Sequence, residues 1–412
     1  MTRVLDVYLE NKLAGNLEQT TGGDLVFTYQ SEYIETATFA ISLSLPLQKE
    51  PLTGNKVKAF FSGLLPEESV RARLARYLGL SEKNPFALLE AVGGDCAGAL
   101  ALYPRGEIPP KVSDEVEVLD DGSLKDVLDL IRRRPMLAGD DGYRLSLAGA
   151  QDKLAVGFKE GRVLLLKGGA PTTHILKPLI DRVQDSAHNE FFCMTLAKRV
   201  GLDVPKASLQ MVGKMPYYLV ERYDRDFSGS GRVVRIHQED FCQALGISPE
   251  IKYEREGGPS IKACQDLISK HSARPAVDQI KLLDMILFNY LIGNADAHGK
   301  NYSLLYKGNK PEIAPAYDLL STAIYPDLSE KMAMKIGGKY KPSDVYLRHF
   351  YKLIPDTKAA RTVFERQSQK MINKMKQVAP SLIGALQAQG IHTPVFDNIL
   401  AVIRQRADRL TE

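Results

Sequence analysis

The first fifteen residues, MTRVLDVYLENKLAG, alternate apolar and polar positions with a period of two, the pattern of a half-buried strand. Short runs of this kind continue to about residue 104. Helical periodicity interrupts them at about 65–79 and 84–92, and a glycine-rich stretch, AVGGDCAGALALYP, follows. The pattern then breaks: RGEIPPKVSDEVEVLDDGS (105–123) is polar and acidic with two prolines, which predicts a linker. From about 140 the chain is β-prone again. KLAVGFKEGRVLLLK (153–167) predicts a hairpin around Lys159-Glu160-Gly161, THILKP (173–178) a third strand, and ASLQMVGKMPYYLVERYDR (207–225) a second hairpin. Between these, DSAHNEFFCMTLAKRVGL (185–202) predicts a helix capped by Asp185 or Ser186 and closed by Gly201. Beyond about 235 the sequence is mostly helical. Residues 277–292 predict a buried helix, because Ile280, Leu283, Ile286, Leu287, Tyr290 and Leu291 cover most of its circumference, and Gly293 ends it.

The order of elements predicts an α+β chain in four parts: an N-terminal α/β accessory subdomain (1–104), a linker with a connecting helix (105–139), a β-rich small lobe (140–225) and an α-helical large lobe (226–412). A small sheet feeding a helical lobe leaves a cleft. At 412 residues, two or three cores are expected. Apolar content of 44% and charged content of 25% fit a globular chain, and a net charge of +4 is weak evidence for direct nucleic-acid binding. Cys96, Cys193, Cys242 and Cys264 are scattered with no CxxC pair, so reduced core thiols in a cytoplasmic protein are expected. No secretion signal and no apolar run of bilayer length is visible, so no membrane partner is expected.

The candidate chemistry sits directly behind the buried helix, in NADAHGKNYSLLYKGNKPEIAPAYDLLS (294–321). Asp296 and Asn301 are four residues apart in the D-x-x-x-x-N spacing of a kinase catalytic loop. That chemistry needs a carboxylate to orient or deprotonate an acceptor hydroxyl, and an amide oxygen one loop-turn later to face Mg²⁺. YSLLYKGNKPEIAPAYD predicts a hairpin turning at Gly308-Asn309 whose return strand brings Asp318 beside Asn301. Hard oxygen donors of this kind suit Mg²⁺ on nucleotide phosphates. Asp and Asn also populate loops for their own backbone hydrogen bonds, so the spacing alone is a weak signal. For His298 an orienting bond within the loop is the expectation. Upstream, Lys177 ends an apolar strand as a phosphate-contacting lysine does, and Glu190 in the next helix is its candidate ion-pair partner. SLAGAQDK (146–153) precedes the first hairpin, where a phosphate-covering loop belongs, although it lacks the G-x-G-x-x-G pattern.

Taken in order, RLSLAGAQDKLAV, THILKP, LVERYDR, IGNADAHGKNYSLL and APAYDLLST resemble the HipA family of bacterial toxin kinases from about 140 to 330. VYLENKLAGNL and NPFALLEAVGGDCAGAL resemble that family's N-terminal subdomain, so the resemblance covers nearly the whole chain. It implies an ATP- and Mg²⁺-dependent Ser/Thr protein kinase with a two-lobed PI3/4-kinase-like fold. By the same resemblance Asp296 is the catalytic aspartate, Asn301 and Asp318 are the Mg²⁺ ligands, and Lys177 is the ATP-phosphate lysine. The backbone of Ala148, Gly149, Ala150, Gln151, Asp152 and Lys153 forms the phosphate loop, and Glu221, Arg222 and Tyr223 form the connection that meets adenine. His298, Lys300 and Tyr317 complete the ATP-binding candidates. Ser146 matches the autophosphorylation site, where a phosphate of about −2 charge would pull the loop from ATP and switch the kinase off. The implied partners are a HipB-like helix-turn-helix antitoxin, operator DNA reached mainly through that antitoxin, and an aminoacyl-tRNA synthetase, with glutamyl-tRNA synthetase as the best-known target. Phosphorylating it would stall translation and induce dormancy.

Two rivals remain at this level. A metal-dependent phosphohydrolase or nuclease would use the same Asp/His/Asn cluster but leaves Lys177 and the β-rich lobe unexplained. A non-catalytic, nucleotide-binding corepressor would have no need of Asp296, Asn301, Asp318 and Lys177 at once. The Lys- and Arg-rich helical stretch KAARTVFERQSQKMINKMKQV is expected to be a solvated face, with DNA contact as the alternative. Because NAD replaces H-R-D and YDLLS replaces D-F-G, with no A-P-E following, control by a phosphorylated activation loop is not expected.

Overall fold

The computed structural model describes residues 2–110, 115–139, 144–181, 183–227 and 233–411. Residues 111–114 of the expected linker and 140–143 at the expected start of the small lobe lie outside the described residues. The chain forms two compact units. The first comprises Met1–Pro178, Gln210–Ile251 and Ser303–Glu312, and the second Leu179–Leu209, Lys252–Tyr302 and Ile313–Glu412.

In the first unit, β1 (Arg3–Leu9), β2 (Lys12–Gln19), β3 (Leu25–Tyr29), β4 (Leu52–Thr53) and β5 (Leu100–Pro104) form a sheet in the order β4-β3-β2-β1-β5. The alternation that predicted β1 turns Leu5, Val7 and Leu9 inward, and β1 pairs antiparallel with both β2 and β5. Helices Asn55–Ser62, Glu68–Leu78 and Pro85–Val92 place Phe60, Phe61, Leu74, Phe86 and Leu89 in the same core. The last has Pro85 at its first turn, and the Asn84 side chain accepts the Ala87 N–H at 3.1 Å.

A six-stranded sheet follows: β6 (Val116–Val118), β7 (Leu154–Lys159), β8 (Arg162–Leu166), β9 (His174–Pro178), β10 (Ala207–Val212) and β11 (Met215–Glu221), in the order β10-β11-β9-β7-β8-β6, with β6 to β9 and β11 in the first unit. Both expected hairpins and the third strand are present. Leu154, Val156, Leu176 and Leu219 of this sheet belong to the same buried apolar cluster as Leu5, Phe27 and Phe61, so the two sheets share one core. Between β5 and β7 lies the connecting helix Asp121–Ile131, whose N-cap Asp120 accepts the Ser123 N–H.

The second unit is helical: Ser186–Val200, Ile261–His271, Pro275–Ile292, Lys358–Ala388 and Pro394–Thr411. Its core includes Phe192 stacked on Phe396, and Tyr290 edge-on to Phe350. Gly201 closes the first helix in the left-handed region as expected. Its start differs from expectation: Asp185 holds a left-handed backbone without capping the helix, and the Ser186 hydroxyl accepts the Ile180 N–H instead. No described helix is long and apolar enough to cross a membrane.

Candidate active site

The helix Pro275–Ile292 starts with proline at its first turn and is buried throughout only from Met285 to Ile292; Val277 and Ile280 in its first turns are exposed, contrary to the burial expected of Ile280. Gly293 ends it with φ +78°. A Cβ there would meet Val402 Cγ1 at 2.7 Å and Ala323 Cβ at 2.8 Å, so glycine is demanded both by backbone and by space. The Asn294 N–H then bonds back to the Asn289 carbonyl at 2.9 Å, and the chain enters a loop held at nearly every residue. The Asn294 amide donates to Asn289 Oδ1 (2.8 Å) and its Oδ1 accepts the Asp296 N–H (3.1 Å). Ala295 N–H donates to the Thr322 hydroxyl at 2.8 Å, and its carbonyl accepts the Ala333 N–H at 2.8 Å.

This fixed loop presents Asp296 on the surface, while His298 and Lys300 are buried. Asn301 closes it: its Oδ1 accepts the His298 N–H at 3.2 Å, and its amide NH₂ donates to Asp318 Oδ2 at 2.8 Å. The expected meeting of Asn301 and Asp318 is therefore present. The route differs from the expected hairpin, since the return strand is only Glu312–Ile313 and extended chain carries on to Asp318, which holds φ +57°. The Tyr317 hydroxyl donates to the Lys300 carbonyl at 2.6 Å, tying the two segments together. Asn301 thus turns its NH₂ to the Asp318 carboxylate and its Oδ1 to the His298 N–H, so the amide oxygen would have to leave that N–H to join Asp318 on a cation. Among the described residues, no group of three His, Cys, Asp or Glu side chains could hold a metal ion. Two protein oxygens with water and phosphate completing the shell is the Mg²⁺ pattern, and the donors present fit it. Glu190 is buried in the helix Ser186–Val200 of the same unit.

Sequence reasoning missed Tyr253. Its hydroxyl donates to Asp296 Oδ1 at 2.6 Å, and its ring lies edge-on to His298 with centroids 5.3 Å apart. No spacing or periodicity ties a tyrosine 43 residues upstream to this loop.

The first unit carries the remaining candidates. Lys177 stands on β9, paired with Tyr218 of β11, and is buried with Nζ 5.7 Å from the Tyr218 ring centre. The segment Ala148–Lys153 is tethered: Glu67 N–H donates to the Gly149 carbonyl (3.1 Å), Lys153 Nζ to the Ala148 carbonyl (2.7 Å), and Arg73 pairs with Asp152. Gly149 has φ +112°. Ser146 just ahead is fully buried, with its hydroxyl donating to the Leu64 carbonyl at 2.7 Å and its N–H to the Asp95 carbonyl at 3.0 Å.

The connection Glu221–Tyr223 is occupied in a way the sequence did not suggest. The Arg222 guanidinium is buried, forked onto Asp224 at 2.9 and 2.8 Å and bonded to Thr172 Oγ1 at 2.9 Å. Arg225 adds bonds to the Gly98 carbonyl at 3.1 Å and to Asp95 at 3.4 Å, and Gly98 N–H donates to Asp224 at 2.7 Å. Burial raises the Asp224 carboxyl, but the Arg222 and Arg225 charges outweigh it and hold the group well below the usual carboxylate range. Arg222 spends its side chain on this cluster.

Residues 5–103 match the HipA N-terminal domain, and residues 145–383, more than half of the chain, match the HipA-like C-terminal domain. The chain belongs to the HipA family. It is 48% identical to the Sinorhizobium fredii protein Y4mE, named as a candidate kinase, over 82% of this chain and 81% of that protein. It is 32% identical to the Shewanella oneidensis serine/threonine-protein kinase toxin HipA, over 84% of this chain and 81% of the toxin. A chain from the solved Shewanella oneidensis complex of HipA, HipB and operator DNA superposes with a TM-score of 0.80 at 27% identity, covering 99% of this chain and 97% of that one. The α+β kinase-like fold expected from the sequence is borne out by that superposition.

Proposed function

We propose that this HipA-family chain is an ATP- and Mg²⁺-dependent serine/threonine protein kinase that acts as the toxin of a toxin–antitoxin pair. The observation that carries the reading is the 2.8 Å contact between Asn301 and Asp318 on the loop that also presents Asp296. In this reading Asp296 accepts the proton of the acceptor hydroxyl as it attacks the γ-phosphorus. Asn301 and Asp318 would hold Mg²⁺, which would neutralise charge on the phosphate oxygens. Lys177 and the backbone of 148–153 are assigned to the ATP phosphates, and the backbone at 221–223 to adenine. The toxin role is supported by the relative named a HipA toxin and by the structure in which HipA stands with HipB and operator DNA. A HipB-like helix-turn-helix antitoxin, operator DNA reached through it, and an aminoacyl-tRNA synthetase as target belong to the same proposal.

Ser146 supports self-inactivation. With its hydroxyl sealed against the Leu64 carbonyl, it can take a phosphate only after the 144–153 segment leaves its seat. A dianion facing that carbonyl in a dry site cannot return. Modification would therefore hold the phosphate loop open.

The test is transfer of the γ-phosphate of labelled ATP to the full chain in Mg²⁺ and in EDTA. Label that requires Mg²⁺ and is lost in Asp296→Asn supports the kinase. Nucleotide binding without transfer, in protein known to be unphosphorylated, would put a non-catalytic corepressor in its place.

A further inference from the structure

Tyr253 does to Asp296 what a phosphate acceptor has to do. A serine or threonine about to be phosphorylated donates its O–H to the catalytic carboxylate. In this structure that donor is the Tyr253 phenol, 2.6 Å from Asp296 Oδ1. The ring is steadied by the edge of His298, by the Arg255 guanidinium carbon 5.2 Å from its centre and by Lys252 Nζ at 5.6 Å. The backbone beneath is tethered to the catalytic loop. Glu254 N–H donates to the Ala333 carbonyl at 3.0 Å, the Glu254 carboxylate accepts the Lys335 N–H at 2.6 Å, and Ala333 N–H donates to the Ala295 carbonyl, next to Asp296. With the next residue, Glu254, held twice on that segment, the phenol leaves Asp296 most readily by rotating its side chain.

We propose that Tyr253 is a gate on the acceptor position. Its hydroxyl stands in for the acceptor's in the resting enzyme, takes the place of a water on Asp296 Oδ1, and swings aside when a serine or threonine is presented. The proposal rests on Asp296 being the catalytic carboxylate. It follows that an open gate admits water as acceptor: the water oxygen bonds to the γ-phosphorus, the bond from that phosphorus to ADP breaks, and the water proton passes to Asp296. ATP and water become ADP and phosphate.

The experiment uses phosphatase-treated full chain with Mg²⁺ and ATP and no added acceptor. It compares wild type, Tyr253→Phe, Tyr253→Ala and Asp296→Asn, reading phosphate released and phosphate incorporated. Tyr253→Phe is expected to release phosphate roughly tenfold faster than wild type, with a higher ratio of hydrolysis to transfer, because a water can then take the phenol's place on Asp296 Oδ1. A merely structural role would lower both readings and leave their ratio alone. Release at or below the wild-type rate with an unchanged ratio in both Tyr253 variants overturns the gate, as does phosphate mapped onto Tyr253 itself. If wild type neither releases nor incorporates phosphate, or if Asp296→Asn equals wild type, the kinase reading fails and the gate falls with it.

Discussion

Glu239 makes the stability of the first unit depend on pH. It is buried in the first unit on the strand His237–Asp240, where it accepts the Ser42 hydroxyl at 2.6 Å, the Leu43 N–H at 3.0 Å and the Tyr306 hydroxyl. Burial raises its carboxyl more than these three donors lower it, and it is pushed up to about 7 from an ordinary 4.5. A group raised in the folded state keeps its proton longer when folded, so its contribution is complete below about 4.5 and lost as pH rises to about 7. The shift of about 2.5 units corresponds to a ceiling of about 3 kcal/mol. His237 on the same strand works the other way: burial pushes it down to about 4, so its contribution is lost as pH falls below 6.5. The wild-type profile alone therefore mixes two opposed slopes, and the informative quantity is the difference from Glu239→Gln. Glutamine mimics the protonated acid. Its Oε1 can take Leu43 N–H and Tyr306 O–H while its NH₂ faces Ser42 Oγ. Guanidinium unfolding followed by far-ultraviolet circular dichroism, at pH 5, 6, 7 and 8, should show the variant gaining on wild type by about 1.4 kcal/mol per unit up to pH 7 and levelling off above. A difference that stays constant across this range refutes the reasoning.

Gly293→Ala should destabilise the second unit by about 2–4 kcal/mol, combining a left-handed backbone with a Cβ forced onto Val402 and Ala323. A denaturant melt of the full chain checks this. Asp224→Asn leaves Arg222 and Arg225 buried with Asp95 as their one remaining shared carboxylate and should cost about 3–5 kcal/mol in the first unit, read by the same melt. Asp318→Asn should cut Mg²⁺-dependent phosphate transfer by about a hundredfold or more, with nucleotide affinity in EDTA unchanged. Titrating transfer against Mg²⁺ is the measurement.

What was legible in the sequence is what neighbouring residues decide between themselves. The helix before the Asp296–Asn301 loop and its glycine stop are set within one stretch of chain and are present, although Ile280, read as buried, is exposed in the helix's first half. Asp318 arrived beside Asn301 as expected but not on a strand. Pro315 has no N–H to give a ladder, so the return pairing stops at Ile313 and a left-handed Asp318 finishes the turn. Contacts made across long separations left no local trace. LVERYDR reads as an apolar strand running into charge, and nothing in it says that Arg222 and Arg225 fold into a dry cluster with Asp95 and Asp224. The Ser42–Glu239 and Tyr253–Asp296 bonds are of the same kind, since only the tertiary fold brings those residues together.

The measurement that tests the kinase reading most directly is intact mass of phosphatase-treated full chain after incubation with Mg²⁺ and ATP, for wild type, Asp296→Asn and Ser146→Ala. A single added phosphate on wild type, absent from both variants and absent without Mg²⁺, is the predicted result. An unchanged wild-type mass under conditions where ATP binds, or an added phosphate that persists in Asp296→Asn, would contradict it.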